Sequence, residues 1–273
     1  MNRNDFSLEK YRELLIQVSR ERTVVSYSSV PNLAVTDVLW RHDVDVSLHL
    51  ALDLAREDSA HRVRSSYFIN LHSETYNAHS TQARRLVRSI RDLGHDVEIH
   101  LDAAYYEGFD SESALTQTLE VERQQFGRLF DVEPVAFSFH NPLESDLKFT
   151  ALRYAGIVNC YSNYFKQGIA YVSDSNGYWR HESIDDSLNI NERRPIQILT
   201  HAEWWITTPL APRERIAAAL FNDAMLHLED YDRSIIKVGR ENKSDLISDL
   251  TKSSYRERGV EAFAHIYRPT GMS

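Results

Sequence analysis

The chain has 273 residues but only one cysteine, Cys160, so no disulfide can form within it. No glycine turn or helix start follows Cys160, and a buried structural thiol is therefore the expected role rather than a nucleophile. Glycine-rich phosphate loops are also missing, because the sequence contains neither Gly-x-Gly-x-x-Gly nor Gly-x-x-x-x-Gly-Lys. The sequence therefore gives no support to a dinucleotide-binding or P-loop function.

The sequence lacks both an excess of basic residues and long apolar runs. Its net charge of −9 argues against a general nucleic-acid or membrane-surface role, since both favour basic patches. No apolar run approaches the roughly 18 residues of a membrane span. Residues 1–6 show no apolar core of signal-peptide length. We therefore expect a cytoplasmic protein with no membrane span and no nucleic-acid partner.

Short apolar, β-rich runs alternate with helical patterns through the first 200 residues. This alternation predicts a parallel β/α architecture with right-handed crossovers, in one domain over residues 1–273. Six or seven strands are visible, which predicts an incomplete or distorted barrel. Ser7, Ser47 and Ser111 are expected to begin helices, and Gly94 and Gly156 to end them. The predicted strands are 38–43, 65–70, 96–100, 135–139, about 157–161, about 169–173 and 196–200. The predicted helices are 7–20, 48–59, 80–93, 111–130, 145–155, 211–230 and 241–264, with an irregular polar region at 174–194.

Acids and imidazoles follow the ends of these strands. Asp43 and Asp45 close the first, and His100, His140 and His201 close three others. Functional side chains of parallel α/β folds gather at the C-terminal ends of strands. We therefore expect these five side chains to converge at one mouth, where they suit a metal ion and an acid/base pair.

The period of two along a strand predicts which side chains share a face. Arg41 lies on the face of the two aspartates, and Glu98 lies on the face of His100. Both would be one layer below the mouth, and we expect them to pair because a lone buried charge is costly.

The two aspartates at spacing two suit a division of roles. One carboxylate would bind metal and the other would take a proton from water. The alternative is a pair of solvated loop acids. His100 is interpreted as a metal ligand, with a core histidine as the alternative. His140 is interpreted as a ligand or substrate contact, and otherwise as structural.

His201 precedes Trp204 and Trp205, which suggests an acid beside a sugar-stacking surface, unless the tryptophans serve ordinary packing. His72 follows a strand and precedes Asn77, so contact with substrate is considered for both. The remaining histidines are expected to be away from the site. His42 should face the other side of its strand, His95 should lie at the opposite rim, and surface or packing roles are expected for His49, His61, His79, His227 and His265.

Five segments in order resemble the polysaccharide deacetylase superfamily (NodB homology, carbohydrate esterase family 4). They are Arg-His-Asp-Val-Asp at 41–45, Gly-His-Asp-Val-Glu-Ile-His at 94–100, Ser-Phe-His-Asn-Pro at 138–142, Ser-Asp-Ser-Asn-Gly-Tyr-Trp-Arg at 173–180 and Thr-His-Ala-Glu-Trp-Trp at 200–205. The resemblance covers roughly residues 38–205, followed by C-terminal helices over 209–266. The first segment is typical of a subgroup associated with surface-polysaccharide biosynthesis.

The resemblance implies a distorted (β/α)7 barrel and a divalent metal, usually zinc, held by Asp-His-His. It assigns the base to Asp43 and the ligand to Asp45, with the reverse open, and the acid for the leaving group to His201. The family's second motif has a further histidine, which here falls on Ala104. Either His140 or Asp102 then supplies the third ligand, or the site is altered.

The family's third motif carries an arginine that tunes the base. His140 and Asn141 occupy that segment here, so Arg180 or Arg41 would serve instead, and the fourth segment adds Asp174 as a supporting residue. The function implied is removal of an N-acetyl or N-formyl group from an amino sugar or glycan precursor. The alternatives are hydrolysis of a non-sugar amide on the same barrel and non-catalytic glycan binding. The exact sugar, the acyl group, the metal and the oligomeric state stay open.

Overall fold

The computed structural model describes residues 6–180, 182–189, 194–208 and 210–242. The helices are α1 (Leu8–Glu21), α2 (Leu48–Ala60), α3 (Thr81–Asp92), α4 (Glu112–Phe130), α5 (Ile184–Asn189) and α6 (Pro212–Ile236). The strands are β1 (Thr23–Val24), β2 (Asp37–Val44), β3 (Ser66–Ile69), β4 (Asp96–Leu101), β5 (Ala136–Phe139), β6 (Arg153–Tyr154), β7 (Ile157–Asn159), β8 (Ala170–Ser173) and β9 (Ile196–Thr200).

The first four helices begin at serine caps. The side chains of Ser7, Ser47, Ser80 and Ser111 each accept a hydrogen bond from the backbone N–H three residues later. This bond satisfies one of the free donors of a helix N-terminus. Gly94 follows α3 with φ +97°, the left-handed conformation that glycine adopts without a steric penalty. The predicted starts at Ser7, Ser47 and Ser111 and the predicted end at Gly94 are confirmed.

The strands form one mixed sheet in the order β6-β7-β5-β4-β3-β2-β9-β8, with β1 beside the start of β2. From β7 to β8 every neighbouring pair is parallel. No pairing within the described ranges joins β8 to β6 or β7, so these seven parallel strands curl without closing. The prediction of a distorted (β/α)7 barrel is confirmed.

The two faces of β2 have separate environments. On the inner face, Leu39 packs with Phe68, Ala136, Val158 and other residues of the buried core cluster beneath the mouth. On the helix-facing side, His42 lies 3.0 Å from Asp58 Oδ2 and 2.7 Å from Thr200 Oγ1. The prediction that His42 faces away from the two aspartates is therefore confirmed.

The predicted helix over 145–155 is wrong. A short 3₁₀ turn covers Asp146–Lys148, and β6 then pairs antiparallel with β7. The two residues between these strands, Ala155 and Gly156, have φ of +50° and +80°. Positive φ at both positions suits a tight hairpin turn. Gly156 therefore serves a hairpin, although the same residue type also ends helices.

Three further predictions have different outcomes. The polar region 174–194 contains the short helix α5, which sequence periodicity missed. The predicted helix 241–264 lies almost wholly outside the described residues, and the predicted helix 211–230 extends to Ile236.

The chain divides into two compact units, Met1–Leu210 and Ala211–Ser273, and the first contains the whole motif region. In the described part of the chain, no helix has the length and apolarity needed to cross a membrane.

Candidate metal and catalytic site

Three strand ends bring a carboxylate and two imidazoles together. Asp45 follows β2, His100 lies near the end of β4, and His140 follows β5. Asp45 Oδ1 is 3.0 Å from His100 Nε2 and 3.1 Å from His140 Nδ1, and the two ring nitrogens are 3.1 Å apart. We call these three residues the metal triad.

The metal triad fits a divalent ion. Ligand atoms held at 2.0–2.1 Å from a tetrahedral metal are separated by about 3.3 Å, close to the spacing in the triad. The donor set of one carboxylate oxygen and two imidazole nitrogens suits zinc and neighbouring transition metals. The side chain of His100 is 2% exposed, whereas those of Asp45 and His140 are 22% and 21% exposed. The triad is therefore anchored in the barrel and open on one side.

Neighbouring polar groups orient the two imidazoles. His100 Nδ1 lies 2.7 Å from Ser138 Oγ, its register partner on β5, so its Nε2 faces Asp45. His140 Nε2 lies 2.9 Å from Asn141 Nδ2, which leaves its Nδ1 facing the same carboxylate. Such partners fix ring orientation at metal sites. The predicted supporting role of Asn141 agrees with this contact.

The electrostatics of the triad favour an ionised Asp45 facing imidazoles. Burial alone would raise the pKa of Asp45, but its contacts with His100 and His140 hold that pKa well below its ordinary value. Burial lowers the pKa of His140, yet the Asp45 carboxylate outweighs this effect and the net shift is upward. Asp45 is thus anionic at neutral pH.

Asp43 lies directly below the triad and is 2% exposed. Its Oδ2 is 3.4 Å from Arg41 Nη2 and 3.8 Å from His100 Nδ1, and its Oδ1 accepts a hydrogen bond from Ser138 at 3.4 Å. Arg41 is fully buried and also donates to Tyr161 Oη at 3.1 Å. Of the two arginines considered as partners of the base, Arg41 is the one in contact with Asp43.

The predicted pairing of Arg41 with Glu98 is wrong. Glu98 Oε2 instead accepts hydrogen bonds from the backbone N–H groups of Val135 and Ala136, at 2.7 and 2.8 Å. Burial raises the pKa of Glu98 to about 8 despite these two donors. Two free backbone donors at the start of β5 therefore satisfy the carboxyl, and Arg41 pairs with the nearer Asp43.

His201 forms a second imidazole–carboxylate pair at the mouth. Its Nδ1 is 2.6 Å from Asp174 Oδ1, and its Nε2 is 3.7 Å from Asp45 Oδ2. Asp174, fully buried after β8, also accepts hydrogen bonds from the His201 N–H and from Trp205 Nε1. Burial lowers the pKa of His201, but the Asp174 carboxylate raises it more, to about 10.

Asp45, His100 and His201 line a cavity of about 700 Å³ at the mouth of the sheet. Trp204 and Arg180 line this cavity. Trp205 does not line it. Trp205 packs against Phe6 and Tyr11, with ring centroids 5.2 and 5.1 Å apart, and donates to Asp174. Trp205 is therefore a support for Asp174 rather than a stacking surface for a sugar.

Three predicted residues are not part of the triad, although the charge of Asp102 acts on His140. His72 contacts Glu122 Oε1 at 2.7 Å and stacks on Tyr105, in a separate cluster. Asn77 is exposed and accepts from the backbone N–H of His79, as Asx turns before helices do. Asp102 accepts from the backbone N–H of Ala104 and is not among the three converging ligands.

Sequence patterns missed Glu203 and the tyrosines of the cavity. Glu203 is 3% exposed, and burial raises its pKa to about 8 beside His201 and Asp45. The sequence could have indicated Glu203, because it lies two residues after His201 in the segment 200–205 that resembles a deacetylase motif. Tyr161 and Tyr171 line the cavity from the loop after β7 and from β8. No strand-end pattern predicted them.

Cys160 is 1% exposed, and burial raises the pKa of its thiol to about 12. A thiol held in its protonated form is a poor nucleophile. The expected structural role of Cys160 agrees with this environment, although the side chain lies at the inner end of the cavity.

No family model matches the chain, and no curated protein matches it in sequence. Among solved structures, it is similar to a family 4 acetyl xylan esterase from Clostridium thermocellum in complex with a cobalt ion, with 9% identity and a TM-score of 0.37 over 60% of this chain and 73% of that one. It is also similar to the chitin deacetylase of the fungal pathogen Colletotrichum lindemuthianum, with 14% identity and a TM-score of 0.36 over 67% of this chain and 80% of that one.

Proposed function

We propose that this protein is a metal-dependent hydrolase that removes an N-acyl group, acetyl or formyl, from an amino sugar. The observation that carries the proposal is the convergence of Asp45, His100 and His140, with ligand atoms 3.0–3.1 Å apart, beside a separate acid and a separate base. Binding of a sugar alone needs no such pair.

The metal triad is proposed to hold one zinc ion, with Asp45 as the anionic ligand. A zinc ion bound by these three residues would supply Lewis-acid chemistry for an amide carbonyl and a water molecule. Ser138 and Asn141 keep the two imidazole rings turned towards that position. Asp102 is assigned no ligand role, because its carboxylate is used by the backbone of the following turn.

Asp43 is proposed as the general base that accepts the proton of the attacking water. Its carboxylate is fixed by Arg41 on one oxygen and by Ser138 on the other. A carboxylate held by these two neighbours is oriented to accept a proton from a water molecule above it. The separate role of Asp45 as a ligand explains why two aspartates stand two residues apart.

His201 is proposed as the general acid that donates a proton to the departing amine. Its Nδ1–H is held by Asp174, so its Nε2 points towards Asp45 and the cavity. An imidazole with a raised pKa is protonated at neutral pH and can therefore act as a donor. Asp174 is a positioning residue, because it acts through His201.

The amino-sugar substrate is supported by the lining of the cavity. Trp204, Tyr161 and Tyr171 line the cavity with aromatic side chains that also carry a polar group. The cavity volume of about 700 Å³ has room for one or more sugar units. The resemblance of the five strand-end segments to polysaccharide deacetylases supports the same substrate class. Within that class, we propose precursors of surface polysaccharides as the substrates.

The proposal is tested by measuring acetate and free amine released from N-acetylglucosamine and its oligomers by the zinc-loaded protein. Asp43→Asn should abolish most release, while Asp92→Asn, an exposed acid at the end of α3, serves as the matched control. Release that is equal in Asp43→Asn and in the parent protein would overturn the proposal.

A further inference from the structure

Two exposed cations, Lys166 and Arg180, line the cavity of the proposed active site. Lys166 lies in the loop after β7 and Arg180 in the segment after β8, so both approach from the C-terminal ends of strands. Both are exposed, and the described part of the chain gives neither side chain an ion pair or a side-chain hydrogen bond. Their charges are therefore available to a ligand in the cavity.

The acidic side chains that line the same cavity face other partners or are buried. Asp43 faces Arg41, and Asp45 faces His100 and His140. Burial favours the neutral form of the third acid, Glu203, by raising its pKa. The exposed charge near the cavity opening is thus positive, in a chain whose net charge is −9. A local positive field on an acidic protein favours anionic ligands over neutral ones.

The two cations also differ in what they offer. Arg180 presents a planar fork that matches the oxygens of phosphate or carboxylate, and Lys166 presents a compact point charge. Ser162, Ser175 and Asn176 also line the cavity and add short polar side chains. These residues suit an anionic group on the sugar. The acyl group of the same substrate would then reach the metal triad.

We propose that the substrate is an anionic acylated amino sugar, whose phosphate or carboxylate is bound by Lys166 and Arg180. This inference rests on the proposed function for the reaction itself, but the anion site is defined by its own residues. A phosphate would come from an activated or phosphate-linked sugar, and a carboxylate from a uronic acid. The shared chemistry is an oxyanion read by a lysine and an arginine.

The test compares three probes: N-acetylglucosamine, N-acetylglucosamine 1-phosphate and the N-acetylated amino-uronic acid. Binding is measured by calorimetry and turnover by amine release, for the parent protein, Lys166→Met, Arg180→Met and the double variant. Arg88→Met removes an exposed cation from α3 and is the matched control. Chain folding is checked by circular dichroism for every variant.

We expect one or both anionic probes to bind at least tenfold more tightly than the neutral sugar. Each single variant should weaken anion binding about tenfold, the low end for hydrogen bonds to charged groups, without changing binding of the neutral sugar. The control should match the parent protein. Preference for the phosphate probe over the uronic acid, or the reverse, identifies the source of the anion.

The outcomes separate this inference from the proposed function. Charge-dependent binding without any amine release keeps the anion site and overturns the hydrolase proposal. Equal turnover of neutral and anionic probes, unchanged in the double variant, keeps the hydrolase and overturns the anion site. Equal effects of Arg88→Met and Arg180→Met would also overturn the anion site, since they would reflect net charge alone.

Discussion

Asp174 accepts a hydrogen bond from His201 Nδ1 at 2.6 Å, and the same carboxylate accepts two more from the His201 N–H and Trp205 Nε1. The carboxylate is fully buried, so its position is set by these donors. This relationship determines which nitrogen of His201 faces the cavity. It also makes the acid of the proposed reaction dependent on a residue that never touches substrate.

The first prediction concerns this pair. Asp174→Asn removes the charge that raises the pKa of His201, so the pKa of His201 should fall. Activity requires the protonated imidazole and is lost as pH rises through that pKa. The alkaline limb of the kcat profile should therefore move to lower pH, with metal content unchanged. Asp174→Glu is the matched control, because it keeps the negative charge and should bring the alkaline limb part of the way back to its original pH. An alkaline limb at the same pH in Asp174→Asn and in the parent protein would contradict the assignment.

The second prediction separates base from ligand. Asp43→Asn should keep its metal and its fold but lose roughly 10²–10⁴-fold in turnover, the usual contribution of a general base. Asp45→Asn should lose metal, because an amide oxygen is a poorer ligand than a carboxylate. Elemental analysis and kcat measured on the same samples check both. Metal loss in Asp43→Asn with retention in Asp45→Asn would reverse the two roles.

The third prediction concerns the residue that replaces the missing histidine of the family pattern. His140→Ala should lower metal affinity, since its Nδ1 lies 3.1 Å from both other ligand atoms. Asp102→Ala should leave metal affinity close to that of the parent protein, because that carboxylate serves a backbone turn. Zinc titration of the metal-free proteins distinguishes them, and the opposite order of affinities would show that Asp102 is the ligand.

The fourth prediction concerns stability on the other face of β2. Asp58 accepts hydrogen bonds from Tyr11 at 2.6 Å and Tyr67 at 2.7 Å, and faces His42 at 3.0 Å. Asp58→Asn should lower the free energy of unfolding at pH 7 by about 2–4 kcal/mol, because a buried charged acceptor is lost. Urea unfolding measures this cost, with Asp53→Asn, which removes a half-buried acid paired with Arg56 on the same helix, as control.

The cost of Asp58→Asn should depend on pH in a defined direction. Burial alone would raise the pKa of Asp58, but His42, the nearby His95 and the hydrogen bond from Tyr11 bring it below its ordinary value of 3.8. A lowered pKa in the folded state stabilises the protein above pH 3.8, and this contribution is lost as pH falls through the lower value. The difference between parent and variant should therefore be full at pH 7 and shrink below about pH 4. A constant difference down to pH 3 would contradict this account.

The sequence predicted the elements wherever a local pattern decides the structure. Serine caps and the apolar periodicity gave α1, α2 and α4, and the strand ends carrying Asp45, His100 and His140 do meet. The hairpin at Gly156 was missed because a glycine with positive φ ends a helix and turns a hairpin equally well.

The partners of buried charges were harder to predict than their positions. Arg41 and Glu98 were both correctly expected below the mouth, but each found a partner that the pattern does not reveal. Glu98 bonds to backbone donors, which no side-chain pattern encodes. Trp205 likewise resembles a stacking surface in sequence, and only the position of Phe6 and Tyr11 around it gives it a packing role.

The central claim is that Asp45, His100 and His140 hold one divalent metal ion. It is tested most directly by elemental analysis of the purified protein, before and after loading with zinc or cobalt, beside the variants Asp45→Asn and His140→Ala. We expect one metal ion per chain in the loaded parent protein and a clearly lower metal content in both variants. An absence of bound metal from the loaded parent protein, or equal metal in parent and variants, would contradict it.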